Sequence, residues 1–74
     1  MKYQDRITIN PNIMLGKPII KDTRITVELI LKKLSEGITI DELIQNYSSL
    51  SREDILSAFS YTADVISKEE FIAS

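Results

Sequence analysis

The sequence predicts one small, mainly α-helical domain over residues 1–74, in which a short β-hairpin or extended arm leads into three helices. Residues 6–9 alternate polar and apolar side chains with β-branched residues, as a half-buried strand does. From residue 26 onward the apolar side chains instead recur at helical spacing. Three hydroxyl residues, Thr26, Thr39 and Ser51, stand where helix N-caps are expected. A chain of 74 residues leaves no room for a second domain.

The arm covers residues 1–25. Its first strand is interrupted at residues 10–12, where Pro11 sets φ and the flanking asparagines tolerate turn geometry. A second break at residues 16–18 precedes the strand candidate Ile19-Ile20. Residues 21–23 are then expected to form a turn.

The three helices follow without long linkers and form a bundle over residues 26–66. Thr26 as N-cap and Gly37 just past the end predict a first helix over 27–36. Capping boxes at Thr39/Glu42 and Ser51/Asp54 start a second helix over about 41–47 and a third over 52–66. Residues 67–74 form a tail.

The third helix carries two apolar stripes. The stripe predicted to face the core contains Ile55, Leu56, Phe59, Ala63 and Ile66. The second stripe is predicted to be a partner or dimer interface, because large apolar patches are uncommon on monomers. This second set, with two apolar tail residues, is Ala58, Tyr61, Val65, Phe71 and Ile72. The alternative is that the arm folds over the second stripe.

Composition excludes most enzyme chemistry. With no Cys and no His, the chain lacks a thiolate nucleophile, an imidazole base and the usual zinc ligands. Four acids, Asp41, Glu42, Glu53 and Asp54, lie in first helical turns, where the helix dipole and caps favour them without a magnesium site. We therefore expect no catalysis, cofactor or metal. A domain this small, with no disulfide or metal, is expected to be a homodimer or higher oligomer.

The sequence contains no apolar run long enough for a membrane helix and no signal peptide, which predicts a cytoplasmic protein. Charge is unevenly divided. Residues 1–37 carry a net charge of +3 and residues 38–74 a net charge of −5. Such a division indicates two different binding surfaces or self-association, although an uneven charge on a small surface need not have a partner.

A short helix, a turn and a longer capped helix are typical of a helix-turn-helix unit, with residues 52–66 as the recognition helix. Glu53 and Asp54 repel phosphate in the same turn, and many three-helix domains never bind DNA. The candidate DNA-binding residues are Ser49, Ser51, Arg52, Lys32 and Lys33. Arg24, between arm and bundle, is predicted to pair with a carboxylate of the acidic half, with a nucleic-acid or partner contact as the alternative.

A pattern of residues runs from Ile9-Asn10-Pro11 through Gly16-Lys17-Pro18-Ile19-Ile20 and Thr23-Arg24-Ile25, and continues through the helices to about residue 64. This pattern resembles the signature of the small bacterial domain-of-unknown-function family 433. This sequence departs from the family pattern at three positions. It has Asp22 where the family usually has Gly, Ser48 where the family often has Pro, and Leu15 where the family often has a small residue. Asp tolerates a left-handed turn, so the turn at residue 22 survives, whereas Ser48 loosens the turn before the third helix.

The resemblance implies a β-hairpin leading into a homeodomain-like helix-turn-helix bundle. It also implies an antitoxin of the VapB type, which binds and neutralises a PIN-like ribonuclease toxin. Together with the three-helix pattern, it makes operator DNA a further candidate partner of the antitoxin. Two alternatives stay open from the residues alone. One is a helix-turn-helix DNA-binding regulator without a toxin, and the other is a non-catalytic dimerisation or adaptor module.

Overall fold

The structure is a computed structural model that describes residues 3–68. Two strands, β1 (Ile7–Thr8) and β2 (Ile19–Ile20), precede three helices, α1 (Val27–Ser35), α2 (Ile40–Asn46) and α3 (Arg52–Ser67). A single 3₁₀ turn lies at Tyr3–Asp5, and a left-handed turn lies at Met14–Gly16. The predicted architecture, mainly α with a short β-hairpin arm at the N-terminus, is confirmed.

The two strands of the arm pair antiparallel. Ile7 lies opposite Ile20 and Thr8 opposite Ile19. The first strand is shorter than predicted, because the chain leaves the ladder after Thr8 and Ile9 is 56% exposed. Asp22 has a φ of 63°, so the left-handed turn expected at this position is formed by Asp in place of Gly.

The predicted caps hold the helices at their starts. The Thr26 hydroxyl accepts a hydrogen bond from the backbone N–H of Leu29. Both predicted capping boxes are present, with Glu42 bonded back to Thr39 and Asp54 bonded back to Ser51. Each helix boundary therefore lies within one residue of the predicted one.

The core lies where all three helices meet the inner surface of the hairpin. Ile30 and Ile55 are fully buried, and Leu43 is 1% exposed. Further buried side chains join them, namely Ile7, Ile20, Val27, Leu50 and Ala58. Within residues 3–68 no helix is long and apolar enough to cross a membrane.

Candidate functional site

The arm is anchored to α3 by an arginine. Arg6 Nη1 lies 3.0 Å from Asp54 Oδ1, and Arg6 Nη2 lies 4.0 Å from Glu53 Oε2. The other oxygen of Asp54 accepts the backbone N–H of Ser51 at 3.0 Å. A nearly buried carboxylate thus receives donors from both the arm and its own helix start, which satisfies its charge.

A tyrosine makes a second contact between arm and helix. The Tyr3 hydroxyl donates a hydrogen bond of 2.6 Å to Asp64. Its ring meets Tyr61 edge-on, with ring centroids 5.4 Å apart, a favourable aromatic geometry. Lys68 Nζ also reaches the same oxygen of Asp64, at 3.1 Å.

These contacts shift two ionisation equilibria. The hydrogen bond from Tyr3, followed by that from Lys68, lowers the pKa of Asp64. The same bond raises the pKa of Tyr3, because donation to a carboxylate favours the neutral phenol. Between acid and strongly alkaline pH the pair therefore favours the arm in its docked position.

The stripe of α3 predicted as an interface is turned inward. Ala58 is fully buried in the core, and Tyr61 is half-buried under Tyr3. We call the side formed by Asp54, Ile55, Ser57, Ala58 and Tyr61 the inner face of α3. Ala58 therefore cannot line an exposed surface, and the arm covers Tyr61 through the ring of Tyr3. Val65 remains 39% exposed, and the predicted interface residues Phe71 and Ile72 lie outside the described residues.

The stripe predicted as core is largely exposed. Leu56 is 40% exposed, Phe59 39% and Ile66 51%, and Ala63 is also exposed. Ile55 alone of the predicted set is in the core. We call Leu56, Phe59, Ala63 and Ile66 the outer stripe of α3. The prediction was wrong because α3 is rotated about its axis relative to the predicted orientation. Ile55 and Ala58 pack against the rest of the bundle, and the larger side chains of the predicted core stripe face outward.

The candidate base-reading residues at the start of α3 are already engaged. The Ser51 hydroxyl accepts the backbone N–H of Asp54 at 3.2 Å, as a cap requires. The exposed guanidinium of Arg52 bonds to Asp41 of α2. Ser49 lies exposed in the turn between α2 and α3. Binding of a base by Arg52 would first have to break the pair with Asp41.

Lys32 and Lys33 lie in the last turn of α1, where cations favour the helix dipole. Neither pairs with an acid of residues 3–68.

The acids at the helix starts serve the fold. Asp41 pairs with Arg52, Glu42 and Asp54 close capping boxes, and Glu53 lies near Arg6. The backbone and hydroxyl of Thr39 lower the pKa of Glu42, as a cap would. Within residues 3–68 no cluster of three or more acids is arranged to hold a metal ion.

Arg24 does not make the predicted ion pair with any acid of residues 3–68. It is exposed, and Arg6 makes the contact between arm and acidic half instead. Arg24 and Lys21 line an open cleft of about 530 Å³ formed by residues of the arm, which we call the arm cleft. Its other lining residues are Thr8, Asn10, Ile13, Ile19, Asp22 and Thr23.

The loop between the strands holds an apolar side chain in solvent. Leu15 is 94% exposed, and its φ of 59° is left-handed, as are those of Met14 and Gly16. A left-handed conformation costs a residue with a side chain about 1–2 kcal/mol. The loop is held by hydrogen bonds, among them Asn12 N–H to Asn10 Oδ1 at 2.9 Å and Gly16 N–H to Ile13 O at 3.0 Å. A strained and exposed leucine on an ordered loop is typical of a contact residue.

The sequence does not identify Arg6, Tyr3 or Leu15 as contact residues. Nothing local distinguishes Arg6 from the other cations of the first half, because its partner Asp54 lies 48 residues away. One feature of the sequence sets Leu15 apart, since it stands where the family pattern often has a small residue.

Comparison with known proteins identifies a matching family and a similar solved structure. Residues 7–62 match the family described as "Protein of unknown function (DUF433)". A solved structure, that of a DUF433 member protein from Anabaena variabilis ATCC 29413, is similar to this chain, with a TM-score of 0.81 and 31% sequence identity. The similarity covers 88% of this chain and 64% of that one, so this chain spans less than two thirds of its length. No curated protein matches the sequence.

Proposed function

The chain belongs to the DUF433 family, and from this premise we propose that it is a non-catalytic antitoxin that binds and neutralises a PIN-like ribonuclease in the cytoplasm. The observation that carries the proposal is Leu15, which is almost fully exposed on an ordered loop of the arm. An apolar side chain held outward by hydrogen-bonded backbone fits a pocket on another protein. Its ordering before binding reduces the entropy lost on association.

Charge favours an acidic partner for the same arm. Lys21 and Arg24 line the arm cleft, and neither pairs with an acid of residues 3–68. A magnesium-dependent nuclease concentrates acidic side chains at its active site. An arginine that has no ion pair within the described part of its own chain can form a bidentate pair with such a carboxylate. The arm therefore combines an apolar anchor with cations of the complementary sign.

The test measures RNA cleavage by a PIN-like nuclease encoded beside this gene, with increasing amounts of the chain. The double variant Lys21→Ala/Arg24→Ala is expected to inhibit about tenfold less well, because it removes the cations of the contact. Leu15→Asn is expected to weaken inhibition as well, since Asn keeps the left-handed backbone but loses the apolar contact.

The matched control is Lys32→Ala/Lys33→Ala, which changes net charge equally but on α1. It is expected to inhibit like the unchanged protein. Equal losses in both double variants would indicate a general charge effect and contradict the assignment to the arm. Full inhibition by the Lys21/Arg24 variant, or no inhibition by the unchanged protein, would contradict the proposal itself.

The second candidate is DNA binding by the helix-turn-helix unit, either by the antitoxin at its operator or by a regulator without a toxin. The observation that favours it is the α2–turn–α3 arrangement, with exposed Arg52 at the start of the longer helix. Arg52→Ala is then expected to weaken operator binding by about 1–3 kcal/mol. A binding titration over a range of salt concentrations measures this, and an unchanged affinity would remove Arg52 as a base-reading residue.

A further inference from the structure

The outer stripe of α3 has the spacing of a helix-pairing surface. Its four residues follow one another at steps of three, four and three, which keeps them on one side of the helix. The three large ones are each about 40–50% exposed. Asp64, the acid within this stretch, points to the arm and binds Tyr3. The stripe is therefore uncharged along about three turns.

We propose that the outer stripe is the interface of a symmetric homodimer, in which α3 packs antiparallel against α3 of a second copy. The reason is that the stripe is complementary to itself in this orientation alone. A two-fold axis level with residue 61 places Leu56 against Ile66 of the partner subunit. It also places Phe59 against Ala63 of the partner subunit, so a large ring meets a small side chain at both central positions.

Parallel packing of the same stripe does not have this fit. Phe59 would meet Phe59 of the partner subunit, and Ala63 would meet Ala63 of the partner subunit, leaving one crowded layer and one gap. The like-charged Arg52 guanidiniums would also meet at one end. Antiparallel packing separates these charges and opposes the two helix dipoles, which is favourable.

The arm leaves this surface free. Arg6 and Tyr3 bind the inner face, so dimerisation does not require the arm to move. The stripe spans roughly 15 Å of helix, at 1.5 Å per residue. A single helix pair of this length buries less than the ~800 Å² per partner of a typical stable interface. The dimer is therefore expected to dissociate on dilution.

Sedimentation equilibrium over a wide range of concentrations tests the association. The unchanged chain of 8.4 kDa is expected to approach twice its mass at high concentration and its own mass on dilution. Phe59→Asp is expected to remain a monomer throughout. Leu15→Asp makes the same kind of change at an exposed leucine of the arm and is expected to dimerise normally. Circular dichroism confirms that both variants are folded.

Cysteine pairs test the orientation, because the chain has no cysteine of its own. Leu56→Cys and Ile66→Cys copies, mixed and oxidised, are expected to form a disulfide between the two kinds of copy. Either variant alone is expected to give little cross-linking.

Efficient cross-linking of Leu56→Cys to itself would overturn the antiparallel arrangement. A monomer at every concentration, or a dimer that survives Phe59→Asp, would overturn the interface. These outcomes are independent of RNA cleavage, so the dimer and the proposed antitoxin function can fail separately.

Discussion

On α3, the inner face holds Asp54, Ile55 and Ala58 against the rest of the molecule, whereas the outer stripe leaves Leu56 and Phe59 half in solvent. The buried side thus contains a carboxylate, and the exposed side contains a phenylalanine. The buried carboxylate is tolerated because Arg6 and the Ser51 N–H satisfy it. On this helix, a polar side chain is buried where hydrogen-bond partners are available to it, and side-chain hydrophobicity alone does not decide which residues are buried.

The largest expected effect is a difference in unfolding free energy between variants of two neighbouring residues on opposite faces of α3. Ile55→Ala removes a fully buried side chain and is expected to lower the free energy of unfolding by about 2–5 kcal/mol. Leu56→Ala, one residue along, is expected to change it by about 0.5 kcal/mol or less when measured at concentrations where the chain is monomeric. Urea unfolding of both variants provides the measurement. Similar losses would mean that the outer stripe is packed within the monomer.

A smaller effect on the unfolding free energy is expected when carboxylates near the starts of α2 and α3 are removed. Asp54→Ala removes the capping box of α3 and the partner of Arg6, and is expected to cost about 1–2 kcal/mol of unfolding free energy. Asp41→Ala breaks the exposed pair with Arg52 and is expected to cost at most about 0.5 kcal/mol. Thermal unfolding followed by circular dichroism measures both. If the Asp41 variant is the less stable one, the arm is not anchored through Asp54.

The smallest effect on stability is expected from the contact between Tyr3 and Asp64, whose contribution depends on pH. The pKa of Asp64 is lowered in the folded chain, so its contribution to stability is present above the pKa it has in the unfolded chain. That contribution is lost as pH falls through the folded pKa. The pKa of Tyr3 is raised, so its contribution is present below the pKa of the unfolded phenol and is lost as pH rises through the folded value.

Tyr3→Phe is therefore expected to be less stable than the unchanged chain near neutral pH and equally stable in acid, once Asp64 is protonated in both. The pKa of Asp64, followed by NMR, is expected to move back toward its usual value in the variant. A difference in stability that persists unchanged in acid would mean that the effect does not depend on the charge of Asp64.

The local structure could be predicted closely from the sequence. The Thr39/Glu42 and Ser51/Asp54 boxes start helices because hydroxyl and carboxylate groups bond backbone N–H groups three residues away. The same local reasoning predicted the Ile19–Ile20 strand and the turn over residues 21–23, and the family pattern, with Gly at position 22, indicated that the turn is left-handed. It did not predict the left-handed backbone of Leu15, since a leucine has no intrinsic preference for that conformation.

The candidate site was harder to predict. Of the residues singled out, Arg52 and Lys32 are exposed and Lys33 is partly buried, whereas Ser51 serves as a cap and Ala58 lies in the core. The arm residues that bind α3 were missed because their partners are distant in sequence. Arg6 lies 48 residues from Asp54, and Tyr3 lies 61 residues from Asp64.

The bounds of the three helices and the position of the second strand follow from local sequence patterns, because caps, turns and hydrophobic spacing act over three or four residues. The two apolar sides of α3 follow from the same patterns. Which side of α3 faces inward cannot be read from these patterns, since it depends on Arg6 and Tyr3 reaching Asp54 and Asp64 from the far end of the chain. These contacts form only when the arm folds back, so no local pattern around α3 contains them.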